Sequence, residues 1–318
     1  MSLKIKTFTL FILLLAAFGT QAQTKNKKSD NISPEALERL HIGEDTLALL
    51  AYAVVNDSIE QERFAACRAL IQVLVRTLKI ENSFQYRFDR LKSISILAPP
   101  DSSFRIFTWQ MFVNDSTYRY YGAIQMNSPE LKLFALIDRS DEMDERPVYD
   151  ALPPERWYGA LYYTLRQFDT KEGRKYLLCG YDAYAFFEKR KVIEVLSFDA
   201  AGKPVFGAPV FDKPGAKVDE LRMLFEYSAE ASVRVNWDEQ YQIILFDHLI
   251  PWPSPFGRGI SNVPDGSYDG LRFEKGRWKF VEKVFNDAQE EAPRPEPVLD
   301  ARQNKDIMGK EKKQKKGR

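Results

Sequence analysis

Little in this chain belongs to the usual chemistry of catalysis or metal binding. Its 318 residues include two cysteines, Cys67 and Cys179, and two histidines, His41 and His248. Scattered without ligand spacing, these four do not form a structural zinc site. The sequence signals no other metal and no cofactor, so none is expected. The absence of any Gly-x-Ser-x-Gly elbow removes one common route to a serine nucleophile. No repeat of about 40–50 residues points to a propeller. Neither sign of charge dominates, with 46 Lys and Arg against 45 Asp and Glu. Beyond the N-terminus no stretch approaches the ~20 apolar residues of a membrane span.

What is present begins with an address. Lys4 and Lys6 precede an apolar run from Thr7 to Gly19, and Thr20-Gln21-Ala22 supplies small residues before Gln23. This pattern predicts a Sec-type signal peptide over 1–22. A lipoprotein would carry cysteine where Gln23 stands, so the mature chain is expected to be unlipidated and periplasmic, with release to the medium as the alternative. An oxidising compartment permits one disulfide between Cys67 and Cys179, although each also suits a small buried apolar position.

The near-zero net charge hides segregation. Residues 34–298 hold 33 Lys and Arg against 41 Asp and Glu, whereas residues 299–318 hold eight against three. A basic, polar segment over 23–32 and a Pro-rich spacer with a basic tail over 287–318 are expected to be disordered. The tail lysines Lys310, Lys312, Lys313, Lys315 and Lys316 suit weak contact with an anionic membrane surface. An exported chain with an acidic body makes a nucleic-acid partner implausible.

Between the tails the period changes. Ser33-Pro34-Glu35 reads as a helix start, with a short helix expected to break at Gly43 and a second stretch carrying Leu47, Leu50 and Val54 on one face. Ser58-Ile59-Glu60-Gln61 reads as a capping box, followed by Phe64, Cys67, Ile71, Leu74 and Leu78 at helical spacing. Residues 33–82 are therefore expected to form an antiparallel helical hairpin. From about Ser93 the period is two. Strand-like runs such as Phe104–Val113, Tyr118–Met126, Lys175–Tyr181 and Lys191–Phe198 are joined by short turns that favour antiparallel pairing. The predicted fold class is α+β and mostly β: the hairpin, then a large antiparallel β-meander over 83–286, built as a sandwich or a curled sheet.

Candidate sites are sparse. Asp247 and His248 are adjacent, and adjacent strand residues face opposite ways, so they are not expected to pair. Asp265 and Asp269 lie in Pro264–Gly270, which reads as a turn rather than a calcium loop. Asp247, His248, Asp265 and Asp269 are the available acid–base groups. Pro251–Gly259, with Trp252 and Phe256, followed by Tyr268, reads as a rigid aromatic loop and a binding surface. Asp138, Asp141, Glu142, Asp144 and Glu145 form an acidic loop, solvated or weakly cation-binding. Tyr118, Tyr120, Tyr121, Trp157, Tyr158, Tyr162 and Tyr163 suit either a sheet core or a sugar-binding platform.

Ser83–Asp89 leading into Phe104–Trp109, with Gly180-Tyr181-Asp182, Phe246–Leu249 and Pro264–Gly270, resembles a pattern in exported proteins of Bacteroidota-type bacteria. That uncharacterised family of β-rich periplasmic proteins implies a compartment and a lineage but supplies no active site. The expectation is a non-enzymatic binding or accessory protein, with an envelope protein partner such as an outer-membrane transport or secretion complex. The alternative is a hydrolase acting on cell-wall glycan or peptide.

Overall fold

The computed structural model describes residues 31–285 except 145, 216, 255, 256 and 258. It is a mostly-β α+β fold: an N-terminal pair of helices, α1 (Pro34–Asn56) and α2 (Glu60–Leu78), precedes fourteen strands. Two compact units share the chain. The first comprises 31–209 with Glu220–Glu226, the second Val210–Asp219 with 227–285. The strand-rich region read as one domain over 83–286 is thus distributed between them.

Ser33 caps α1 as its sequence suggests, its Oγ accepting the Ala36 N–H at 3.1 Å. The helix does not break at Gly43. It continues for 23 residues, because Gly43 is where α1 meets α2. A Cβ there would sit 2.6 Å from Thr77 Oγ1, so the missing side chain is a packing device. Nor does Ser58 cap α2. The helix starts at Glu60 without a side-chain cap, and Asp57 Oδ1 takes the Ile59 N–H at 2.8 Å. The predicted stripe of α2 is buried at Cys67, Leu74 and Leu78, with Phe64 packed against the core, but Ile71 is exposed and Arg63, Leu70, Val73 and Thr77 are buried beside it.

The first sheet has the order β1 (Ser95–Leu97), β2 (Phe104–Asn114), β3 (Thr117–Met126), β4 (Leu133–Ile137). Strand β2 is apolar on both faces because both are covered. Phe107, Trp109 and Met111 pack with Leu40, Leu47, Leu70 and Leu74 of the helices. Phe104 and Ile106 pack with Tyr162, Tyr176, Leu178 and Leu196 of the second sheet. That sheet contains β5 (Leu161–Thr170), β6 (Gly173–Asp182), β7 (Glu188–Phe198) and β10 (Arg222–Ser228), with β8 (Pro204–Phe206) beside β7. Within unit one, helices, sheet and sheet thus form three layers around two cores. Cys67 and Cys179 are free thiols, each buried. Burial pushes the Cys179 thiol up to about 12.

The second unit holds a sheet of β11 (Val235–Asp238), β12 (Ile243–Pro253), β13 (Ile260–Glu274), β14 (Arg277–Val281) and β9 (Phe211–Asp212). All its pairings are antiparallel except the two-residue β14–β9 ladder. Of the segment expected to be a rigid aromatic loop, Pro251–Pro253 is strand, with Trp252 paired to Ser261 and Pro253 to Ile260, while Ser254, Gly257 and Gly259 lie between the two strands. The proline-rich sequence suggested a loop, yet Pro251 and Pro253 are tolerated here. Strand β11 reaches only as far as Phe246 on β12, so the prolines displace no ladder partner on that side.

Candidate functional site

In unit one a cavity of about 480 Å³ opens where the second and third strands, the acidic loop and the β6–β7 connection meet. Its lining includes Tyr118, Tyr120, Asp141, Tyr158, Asp182 and Arg190. Asp138 ties the acidic loop to the sheet. It takes the Tyr120 N–H at 2.9 Å and both the N–H and hydroxyl of Ser140. Gly159, at φ +83°, packs so closely on Asp138 that a Cβ would lie 2.5 Å from Oδ1. Burial raises the Asp138 carboxyl above its ordinary range. The acidic loop is therefore partly a structural anchor. Among the described residues no group of three His, Cys, Asp or Glu side chains is arranged to hold a metal ion.

Asp182, at the end of β6, forms the cavity floor and is 6% exposed. Its Oδ2 accepts the Tyr158 hydroxyl at 2.7 Å, and its Oδ1 accepts the Tyr184 N–H at 2.9 Å. Burial raises its carboxyl pKa, with these hydrogen bonds acting in the opposite direction. Arg190 stands beside it with both Nε and Nη2 on Glu226 Oε2, at 2.9 and 2.6 Å. Its guanidinium lies 3.3 Å from the Tyr184 ring centroid, and Tyr184 adopts φ +36° to bring the ring there. Glu226 is the ion-pair partner of Arg190, whose charge also favours the ionised form of Asp182, and Asp141 and Asp144 add two carboxylates to the lining. The result is a fixed, acceptor-rich floor with tyrosine walls.

The aromatic set read from the sequence divides accordingly. Trp157 and Tyr162 are core, joined by an indole-to-hydroxyl hydrogen bond of 2.8 Å, while Tyr118, Tyr120 and Tyr158 line the cavity. Asp182, Tyr184 and Arg190 were missed as site residues. Their sequence signals were a polar pair flanking an aromatic-rich connection and, for Asp182, a place in the Gly180-Tyr181-Asp182 motif.

In unit two the register explains the histidine. On β12–β13, Phe246 opposes Asp269 and Asp247 opposes Tyr268, and the ladder then slips so that Leu249 opposes Pro264. His248 thus faces a bulge formed by Asp265, Gly266 and Ser267 rather than a free turn. It shares a face with Asp269, and its Nδ1–H donates to Asp269 Oδ2 at 2.7 Å. Asp269 Oδ1 also accepts the Lys283 N–H at 3.0 Å. The hydrogen bond to Asp269 raises the His248 pKa, and burial opposes it. Asp247 points the other way and accepts the Arg234 N–H. Asp265 is engaged by the N–H and hydroxyl of Ser267. Hydrogen bonding from Ser267 holds its carboxyl below the ordinary range. The structure therefore couples His248 to Asp269, and more loosely to Asp265, and separates Asp247.

Trp252 is exposed on the β12–β13 hairpin, and Tyr268 packs edge-on to Phe285 at 5.8 Å. Phe256 and the tail lysines Lys310, Lys312, Lys313, Lys315 and Lys316 lie outside the described residues, as does the 1–22 segment. No helix among the described residues is long and apolar enough to cross a membrane. Comparison with family models, with curated proteins and with solved structures yielded no match.

Proposed function

We propose that this chain is an exported, non-enzymatic binding protein of the cell envelope in a Bacteroidota-type bacterium, and that the unit-one cavity holds a sugar-sized, hydroxyl-rich ligand. The observation that carries this reading is the state of Asp182. Each of its oxygens accepts a hydrogen bond from a neighbouring donor, so the floor is held in place with lone pairs left to accept hydrogen bonds from a ligand. The volume falls in the usual range for small-molecule sites. Tyrosines and carboxylates together offer donors, acceptors and apolar ring surface, the complement of a sugar. The acidic rim disfavours anions.

The signal-like N-terminus and the resemblance to periplasmic proteins support the compartment. Exposed Trp252 and Ile260 on the β12–β13 hairpin, with Leu49 and Tyr52 on α1, support docking to an envelope partner. Calorimetric titration with neutral and amino-sugar mono- and disaccharides tests the ligand. Saturable binding lost in Asp182→Asn supports the proposal. Turnover of a cell-wall glycan that is abolished in Asp182→Asn would replace it with the hydrolase reading.

A further inference from the structure

A second cavity of unit one, about 410 Å³, opens onto Arg105 of β2. Arg105 is 4% exposed. Its Nε donates to Gln125 Oε1 at 2.8 Å, Nη2 to the Ser83 carbonyl at 2.9 Å and Nη1 to the Tyr86 carbonyl. The rings of Phe84, Phe88 and Phe107 lie 5.3, 4.9 and 5.1 Å from the guanidinium carbon. Among the described residues no carboxylate pairs with it. Glu44, the carboxylate bound to the Tyr86 hydroxyl, is occupied by that hydroxyl and by the N–H and Nε of Arg90.

Other buried arginines of this unit show the contrast. Arg222 has Glu194, and Arg190 has Glu226. Arg63 is held by backbone carbonyls and fastens α2 to the end of β2. Arg105 makes a comparable staple, holding the 3₁₀ turn Ser83–Gln85 to the sheet, but it also lines a cavity. A guanidinium carries five N–H groups. Three are used here, leaving one each on Nη1 and Nη2.

The cavity is built around this charge. Phe88 adopts φ +54°, a conformation bulky residues rarely take, and its ring lies over the guanidinium, while Ser102, at φ +51°, lines the cavity. Gln85, Ser102 and Asn127 line the walls with polar groups. At the rim stand Arg87 and Asp89, 3.5 Å apart with both side chains largely exposed, so that Arg87 can turn to an entering anion while Arg105 is the lining cation without a carboxylate partner.

We infer that this cavity binds the oxyanion group of a small ligand, a carboxylate or a phosphate, with Arg105 as its anchor. The group would supply the missing counter-charge to a cation already desolvated by the fold, and would use the two uncommitted N–H donors. The site is separate from the cavity proposed above to take a hydroxyl-rich ligand, and it differs in sign.

The test is nuclear magnetic resonance of the isotope-labelled full chain, following the Arg105 Nε–H resonance during titration with acetate, succinate and inorganic phosphate at constant ionic strength against chloride. A saturable shift with at least one oxyanion and none with chloride supports the site, and the separate arms tell carboxylate from phosphate. Arg105→Lys keeps the charge but loses the fork and should weaken binding by about tenfold or more. Should that variant fail to fold, Arg87→Ala at the exposed rim serves instead, with several-fold weaker binding expected at unchanged melting temperature. A resonance unmoved by all three anions, or moved equally by chloride, overturns the inference. So does binding that survives Arg105→Lys or is indifferent to Arg87→Ala.

Discussion

Glu194 and Arg222 face each other across the core of unit one at 2.6 Å, with neither side chain exposed to solvent. The pair does not stand alone. Tyr162 donates its hydroxyl to the other Glu194 oxygen, and Arg222 also reaches the carbonyls of Pro147 and Phe206. A buried charge that loses its partner is left uncompensated, typically at a cost of about 3–5 kcal/mol. Arg222→Met should therefore destabilise unit one by roughly that amount, and Glu194→Gln by a comparable amount. The double replacement Glu194→Leu with Arg222→Met should recover much of the loss. Denaturant unfolding of the three variants checks this, and a double variant no better than the singles would contradict it.

Gly43 and Thr77 set a second expectation. Alanine is normally about 1 kcal/mol better than glycine inside a helix. Here its Cβ would meet Thr77 Oγ1 at 2.6 Å and Cγ2 at 2.7 Å. Gly43→Ala should lower the melting temperature, at a cost of about 1–3 kcal/mol from overpacking. Combining it with Thr77→Ala should restore stability.

The same residue shows what the sequence could and could not convey. Local signals were legible: the Ser33 cap, the period change after the helices, and the strand-like run Phe104–Val113 that forms most of β2. Gly43 was read as a breaker because propensity is local, whereas its reason lies 34 positions away at Thr77. The bulge at Asp265–Ser267 likewise looked like a turn, since only the register with β12 shows that the ladder resumes beyond it. Site residues were harder still. Asp182 and Arg190 acquire meaning from Tyr158 and Glu226, partners distant in sequence and unmarked by any motif.

His248 and Asp269 give a pH dependence with a definite sign. Pairing raises the histidine pKa in the folded state, so the contribution is complete below the unfolded value of about 6.5 and is lost as pH rises through the raised value. The side chain is 31% exposed, so solvent screening limits the effect to about 1 kcal/mol or less. Melting temperature measured from pH 5.5 upward should fall slightly more steeply in wild type than in His248→Gln (an interval set by the ordinary histidine value of about 6.5). Parallel curves would show that the pair contributes nothing.

Charge segregation at the C-terminus predicts salt-labile attachment to anionic membranes. Each lysine near such a surface contributes on the order of 1 kcal/mol, screened over about 8 Å at physiological salt. Truncation after Val298 should leave the melting temperature unchanged while abolishing low-salt co-sedimentation with anionic vesicles. Sedimentation indifferent to truncation and to salt would refute the attachment.

Asp182 offers the sharpest separation of stability from binding. Its carboxyl pKa is raised by burial in the folded state, so the folded protein holds the proton more tightly than the unfolded chain. Stability from this group therefore declines as pH rises from the unfolded value of about 3.9 through the raised one, and the cost of the buried charge persists above it. Asp182→Asn removes that charge while keeping an acceptor for the Tyr158 hydroxyl, at the loss of one acceptor near the Tyr184 N–H. The variant's stability relative to wild type should improve as pH climbs through this interval. Its affinity for a hydroxyl-rich ligand should fall at least about tenfold, since a charged acceptor is replaced by a neutral one. Parallel melting and calorimetric series from pH 4 to 8 (spanning the ordinary carboxylate value of about 3.9 and neutrality) measure both. If stability and affinity fell together at every pH, Asp182 would be a structural residue and the cavity would lose its proposed anchor.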